Sequence, residues 1–510
     1  MNPINRWTIR QLAAQCIFPR IETEKYFSDS DYKKEQINLV KEGIGGFCVF
    51  TGTMASVLSM TDELQSNSEI SLLFCADFEH GLPMRLEDGT PFPHAWAMAK
   101  GANTEQIATA IAGEAKNIGI SLNLAPVADI NSNRNNPIIN IRAFGENLED
   151  VEENVSSYIK GLKLGSVAGC AKHFPGHGDT SVDSHIELPT IISSLKELSD
   201  LHLKPFIKAI DADVESIMLG HILVPALDVE FPCSISKKAV SYIRDDLSYS
   251  GLLITDALDM KGLKGFYQEY ELPFRALEAG ADIALIPANP FEALEFIERN
   301  IDKSQDLLDN LNKSCSRIIN LKKNLKLFNY HNKLDKMDDF NIPNEKLALN
   351  AAYNAIDLMG DKNLIPIDEK RIVAGFAIIQ GEDLSAGASF FNLLAQAIPN
   401  DCEFGFIDSN MEEVDLNSIK NGIDDCDMII IASFFRPQAY CGSVNPDLSL
   451  KEIVKNFGFD KDILIISFGN PYLNDFFDYD LYMNTFSDSY SSIAAAVMKL
   501  SGRNPIIMNN

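Results

Sequence analysis

The chain of 510 residues predicts an α/β protein: an N-terminal TIM-type (β/α)8 barrel followed by a smaller layered α/β (sandwich) domain. Three observations carry this. Eight short runs at 15–19, 46–50, 71–77, 122–129, 167–173, 216–221, 252–256 and 283–287 have strand character. Most are apolar throughout rather than alternating, as strands buried on both faces must be. Helical patterns such as 105–118 and 154–164 lie between many of them, so the units repeat as strand then helix. Polar and titratable residues gather where the runs end, which is where such barrels place their reaction centres.

The first 330 residues supply all eight runs. The stretch 322–341 is polar, charged and weakly periodic, and its first third also reads as a last barrel helix, so the connector is placed at 331–345. From 346 to 510 a second α/β pattern follows, with strand-like runs at 372–379, 428–432 and 462–468. Hydrophobic residues make up 46%, ample for two cores. Internal repeats and low-complexity tracts are absent.

Lys+Arg number 44 against 72 Asp+Glu, a formal charge of -28. That excess of negative charge argues against nucleic acid or an anionic membrane as partner. Nine cysteines, odd in number and scattered, several within apolar runs, fit buried thiols in a reducing compartment. They form no CxxC pair. The N-terminus has no apolar leader-like region, and no run approaches 18 apolar residues. The expected location is cytoplasmic.

The richest chemistry lies in Lys172-His173-Phe174-Pro175-Gly176-His177-Gly178-Asp179-Thr180, followed by Asp183-Ser184-His185. It follows the apolar run 167–171. Pro175-Gly176 cannot continue a helix, so the cluster sits on a loop at a strand's end. Any one of these residues serves a turn readily. Three histidines, a lysine and aspartates together point to a reaction centre instead.

Extended through Ile186-Glu187-Leu188-Pro189, this cluster closely resembles the signature K-H-F-P-G-H-G-D-T, D-S-H, L-P of glycoside hydrolase family 3, in its β-N-acetylglucosaminidase (β-hexosaminidase) branch. The resemblance covers most of the first 330 residues. It implies an exo-acting, retaining β-N-acetylglucosaminidase that releases terminal N-acetylglucosamine from a β-linked oligosaccharide and needs no metal or other cofactor. Such a reaction requires a carboxylate nucleophile and an acid/base group. In Thr255-Asp256-Ala257-Leu258-Asp259-Met260, similar to the family's [ST]-D-x-L-x-M, Asp256 takes the nucleophile's place at the end of the run 252–255. In the D-S-H triplet His185 takes the acid/base place. Imidazole titrates near neutrality, and Asp183, two residues away, can orient it and stabilise the imidazolium.

The family pattern also implies a sugar-binding set of Asp77, Arg85, Arg142, Lys172 and His173. Arg142 lies in Asn136-Pro137-Ile138-Ile139-Asn140-Ile141-Arg142-Ala143-Phe144-Gly145, similar to N-P-x-I-x-x-R-[SA]-F-G. One departure stands out. The usual D-x-E-G-G-R is here Asp77-Phe78-Glu79-His80-Gly81-Leu82, which puts the shape of that loop and the aglycone side in question. Seven of the eight histidines lie within the first 221 residues and only His331 lies beyond. The second domain is therefore read as structural or site-covering. Its Ser467-Phe468-Gly469-Asn470-Pro471-Tyr472 is similar to a segment of two-domain family members.

Other readings stay open on the sequence. A β-glycoside phosphorylase, or another family 3 β-glycosidase, keeps the fold and changes acceptor or sugar: a neutral histidine acid/base would let phosphate approach without anionic repulsion. A metallohydrolase could recruit His173, His177, His185, Asp179 and Asp183, but Pro175 and Gly176 break the helix that a His-x-x-x-His pair requires. A non-catalytic sugar-binding protein would be expected to lack Asp256 or His185. The natural substrate, whether a muropeptide-derived disaccharide, a chitin fragment or another glycoside, and the oligomeric state are not fixed by sequence.

Overall fold

Proline and apolar content set the architecture of the first sheet. The computed structural model describes residues 3–505 apart from 102, 181–187, 264, 330–340, 401, 410, 412–416, 418, 420, 422, 439–440, 442 and 456–460. Asp183, His185, His331 and most of the expected connector therefore lie outside the described residues. The chain divides into two compact units. The first comprises Met1–Thr90, Thr104–Asn133 and Glu146–Asn341, and the second Pro91–Asn103, Arg134–Gly145 and Ile342–Asn510.

In the first unit the strands are β1 (Ile17–Phe18), β2 (Arg20–Glu22), β3 (Gly46–Phe50), β4 (Leu73–Ala76), β5 (Leu122–Asn123), β6 (Ala168–Phe174), β7 (Ser216–Leu219), β8 (Leu252–Thr255) and β9 (Ala284–Leu285). Strands β2 to β8 pair in sequence order, all parallel. β1 pairs with β9. The ring is completed where Thr255 N donates to Ile283 O (3.0 Å) and Ala284 N to Cys16 O (2.8 Å). Pro19 separates β1 from β2 because it has no N–H for the ladder. All eight predicted runs thus become staves of one parallel barrel. β3, β4, β6, β7 and β8 are buried almost throughout, as covering both faces of a parallel sheet demands.

The run predicted at 122–129 is a strand for only two residues. Pro126 interrupts the ladder, and pairing resumes as an isolated bridge between Val127 and Lys172. The helix Leu148–Leu164 between β5 and β6 is amphipathic, with Val151, Val155, Tyr158, Ile159 and Leu162 buried along one stripe.

The second unit holds a sheet of β10 (Asp357–Gly360), β11 (Val373–Ile379), β12 (Cys402–Ile407), β13 (Met428–Phe435), β14 (Asp462–Gly469) and β15 (Leu481–Asn484). The order is β10-β15-β14-β13-β11-β12, parallel except for antiparallel β10. Period-two alternation splits its central strands between two cores. Met428, Ile430, Ala432 and Phe434 face one, with Phe390, Phe391 and Ile493 from flanking helices. Ile429, Ile431 and Phe435 face the other, with Leu450, Ile453 and Val454. This is a layered sandwich of helix, sheet and helix. Among the described residues no helix is long and apolar enough to cross a membrane.

One buried charge lies away from the strand ends. Lys322, on the helix Gln305–Asn324, is fully enclosed and donates to Gln15 Oε1 at 2.9 Å. Burial pushes its pKa down to about 7. The unfolded value is near ~10.4, so between pH 7 and pH 10 the unfolded chain binds more protons and stability rises with pH. Lys322→Met removes this term. Its stability relative to the parent is expected to be most favourable at pH 6 and to fall by a few kcal/mol, to order of magnitude, toward pH 10. Urea unfolding at both pH values checks this. A difference that does not change with pH would contradict it.

Candidate active site

Because the barrel strands are parallel, residues that follow them collect at one end. Asp77 follows β4, Lys172 and His173 lie in the last part of β6, and Asp256 follows β8. The side chains there form one bonded set. Lys172, almost wholly buried, donates to Asp77 Oδ1 at 2.7 Å and to Glu79 Oε1 at 2.8 Å. Arg85 donates through Nη2 to Asp77 Oδ2 at 2.5 Å. Burial works to raise the Asp77 pKa, but the Lys172 ammonium and the Arg85 guanidinium outweigh it and hold the carboxyl well below the usual range.

Asp77 is thus ionised across the ordinary pH range, and each of its oxygens keeps a further lone pair for a ligand hydroxyl. Arg85 packs over the Phe50 ring, with its guanidinium carbon 4.7 Å from the centroid. Its buried Nε has no hydrogen-bond partner among the described residues. That is a donor a bound hydroxyl would satisfy.

The turn that carries Asp77 and Glu79 is braced from behind. Asn123 accepts from Phe78 N and donates to Phe78 O, both at 3.0 Å. The Tyr158 hydroxyl lies 3.0 Å from the carbonyls of Phe78 and Glu79. Leu82, which stands where the family motif has an arginine, is fully buried and opens the short 3-10 turn Leu82–Met84 that leads straight into Arg85. The departure in this loop therefore leaves the Arg85–Asp77 pair formed.

Asp129 organises the loop after β6. It is buried, and its Oδ2 lies 2.8 Å from His173 Nδ1. Its Oδ1 accepts from His177 N at 2.6 Å and from His173 N at 3.2 Å. A carboxylate partner at Nδ1 puts the proton there and turns Nε2 of His173 into the ring's other face for chemistry or binding. His177 Nδ1 lies 2.7 Å from Thr180 Oγ1. Burial, and secondarily His173, pull the His177 pKa down to about 4, so its ring is neutral at neutral pH. Gly178 lets the loop close against the barrel: a Cβ there would meet Ile130 O at 1.6 Å.

Asp256 is half-buried. Its N–H donates to Leu219 O at 2.9 Å, continuing the ladder, and its Oδ1 accepts from Ala257 N at 2.8 Å. Coming directly after β8, it stands at the same end of the barrel as Asp77 and His173. His221, after β7, fixes the next peptide: its Nε2 lies 2.8 Å from Ala257 O and its Nδ1 2.7 Å from Ser234 Oγ. A carbonyl only accepts, so Nε2 carries the proton.

Of the expected site residues, Arg85 and Lys172 are each bonded directly to Asp77, with His173 next to Lys172 in β6 and Asp256 at the same barrel end. Arg142 belongs to the second unit, where its Nη1 donates to Ile138 O at 2.9 Å. Asp183 and His185 lie outside the described residues. Sequence reasoning assigned no role to Asp129, Glu79 or His221. Asp129 and His221 each close a predicted run, at 129 and 221, so the strand-end criterion that selected Asp77 also marks them. Among the described residues no three His, Cys, Asp or Glu side chains converge as a metal-binding group.

Residues 8–321 match the model of the glycosyl hydrolase family 3 N-terminal domain. The chain belongs to glycosyl hydrolase family 3. It is 34% identical over 273 residues to β-hexosaminidase A of Pseudoalteromonas piscicida, covering 48% of this chain and 46% of that protein. The chain spans about half the length of the longer curated relatives it matches. In fold it is similar to a family 3 β-N-acetylglucosaminidase from Paenibacillus sp. str. FPU-7, with a TM-score of 0.85 at 24% identity over 98% of this chain and 97% of the other. It is also similar to the β-glucoside phosphorylase BglX bound to 2FGlc, with a TM-score of 0.87 at 22% identity over 98% and 93%.

The bonded set makes a test that needs no substrate. Lys172→Met leaves the Glu79 and Asp77 carboxylates buried without their ammonium and is expected to cost about 3–5 kcal/mol. Adding Glu79→Gln removes one stranded charge, so the double variant should recover part of that loss. Denaturation of the two single variants and the double variant measures the coupling. Strictly additive losses would mean that the pair does not share its energy.

Proposed function

We propose that this family 3 chain is a retaining β-N-acetylglucosaminidase acting from the non-reducing end of β-linked saccharides. The observation that carries the reading is the Asp77–Lys172–Arg85 set standing at the same barrel end as Asp256, in a chain 34% identical to a β-hexosaminidase. Asp77, Arg85, Lys172 and His173 hold sugar hydroxyls. Arg142 adds a substrate contact by virtue of the motif it occupies. Asp256 attacks the anomeric carbon. His185, oriented by Asp183, protonates the leaving oxygen, and the glycosyl–Asp256 ester forms as the glycosidic bond breaks. His185 then takes a proton from water, which attacks the same carbon and releases the sugar with Asp256 regenerated. The product is the β-anomer after two inversions.

The nucleophile and the outcome are tested together. A mechanism-based 2-fluoro glycosyl donor should label Asp256, Asp256→Ala should lose several orders of magnitude in turnover with the fold intact, and NMR should detect the β-anomer first. A label on another carboxylate, or an initial α-anomer, would overturn the scheme. Running the assay with and without phosphate, on aryl glycosides of N-acetylglucosamine and glucose, separates hydrolysis from phosphorolysis and fixes the sugar. A glycosyl phosphate product would move the reading to a phosphorylase.

The acid/base assignment has its own signature. His185→Ala should spare the first step of donors with activated phenols, abolish turnover of natural disaccharides, and be partly rescued by azide with a glycosyl azide as product. Asp183→Ala should give a milder form of the same profile. An equal loss across leaving groups without rescue would remove the role from His185.

A further inference from the structure

The stretch Arg134–Gly145 lies between β5 and β6 along the chain, yet it packs within the second unit. It carries Arg142, and the conformation of the loop decides where that guanidinium is held. Asn136 Oδ1 accepts from Ile138 N at 2.9 Å and Ile139 N at 2.8 Å, which curls the main chain. Arg142 N then donates to Ile139 O at 2.8 Å, and Arg142 Nη1 to Ile138 O at 2.9 Å. Asn140 sits between them in the left-handed region at φ 41, and its Oδ1 accepts from Ile141 N at 2.9 Å.

This loop is gripped by the residues just beyond β14. Asn470 is fully buried. Its Oδ1 takes a bond from Asn140 Nδ2 at 3.5 Å and from Tyr472 N at 3.2 Å. Its Nδ2 donates to Val444 O at 2.9 Å and Asn445 Oδ1 at 3.1 Å. Asn445 in turn donates to Asn135 Oδ1 at 3.2 Å, and Arg134 pairs with Asp475 at 3.4 Å with its guanidinium 4.9 Å from the Tyr472 ring centroid. Only an amide offers an acceptor and two donors in this geometry. Gly469 fixes the approach: its φ is +124, and a Cβ would meet Phe435 O at 2.1 Å.

We propose that Asn470 is a positioning residue for Arg142: within the second unit it holds the loop that carries this arginine. The inference rests on the proposed function for the role of Arg142. A residue that merely stabilised the sandwich would act on the whole sheet. A positioning residue acts on the loop and, through it, on substrate binding.

The test uses the full-length chain with Asn470→Ala and, should that variant fail to fold, Asn140→Gly. Glycine tolerates the positive φ and cuts the same link, but it also removes the acceptor of Ile141 N, so in that variant only the Arg142 amide is diagnostic. Hydrogen exchange at the amides of Ile141 and Arg142 should quicken while β13 and β14 stay protected. On an aryl N-acetylglucosaminide, KM should rise roughly fivefold, the scale of one lost buried hydrogen bond, with kcat little changed. In an Arg142→Ala background the same substitution should add nothing further. Unchanged exchange in the loop, exchange spread over the whole sheet, or losses that multiply in the double variant would each overturn the proposal. If the parent protein turns over no glycoside, the functional reading fails while the exchange measurement still decides whether Asn470 holds the loop.

Discussion

A lysine ammonium held out of water needs its anions nearby, and Lys172 takes two. Taking a charge from water costs several kcal/mol that only close counter-charges return. Asp77 and Glu79 supply them, and Arg85 supplies the second cation, so two positive and two negative groups balance within a chain of formal charge -28. Much of the site follows from this constraint. Asp77 stays ionised because it cannot protonate without stranding Lys172. The turn at 77–79 must stay where it is, and Asn123 and Tyr158 hold its backbone accordingly. The result is a charged platform whose groups are bonded to one another and to the backbone behind them; a platform ordered in advance is what orienting a polar ligand at low cost requires.

Asp129 does the same for the loop after β6. One carboxylate accepts two main-chain N–H groups and orients one imidazole, so His173 and the start of the His177 segment are fixed together. His221 fixes the peptide beyond Asp256. At these strand ends a polar residue is thus held by a partner from another strand of the same barrel: Asp77 by Lys172, His173 by Asp129, and the peptide after Asp256 by His221. This division of labour depends on the parallel barrel, which alone brings residues 77, 129, 173, 221 and 256 to one rim.

The barrel was legible because parallel strands buried on both faces leave unbroken apolar runs, and the charged residues that end those runs mark the rim. The run 122–129 was overextended because apolar character does not register the missing N–H of Pro126. In the second unit β11, β13 and β14 were legible for the same reason as the barrel staves. β10 and β12 are partly exposed edges without an apolar run, and β15 has only four residues. Asp77, Lys172, His173 and Asp256 were marked by motif and strand end together, and Arg85 by its place in the family pattern alone. Asp129 and His221 end predicted runs too, but what they bond to was not legible, because a hydrogen bond such as Asp129 to His173, 44 residues apart, has no local pattern. Nor does chain order show that the Arg142 loop packs in the second unit, since its neighbours on both sides belong to the first.

The central claim is that the Asp77-centred charge set is a sugar subsite. Calorimetric titration of N-acetylglucosamine into the parent protein and into Asp77→Asn tests it without depending on turnover. Saturable one-to-one binding to the parent is expected, with loss of most of that affinity in the variant and its circular dichroism unchanged. Undiminished binding to a folded Asp77→Asn protein would contradict it.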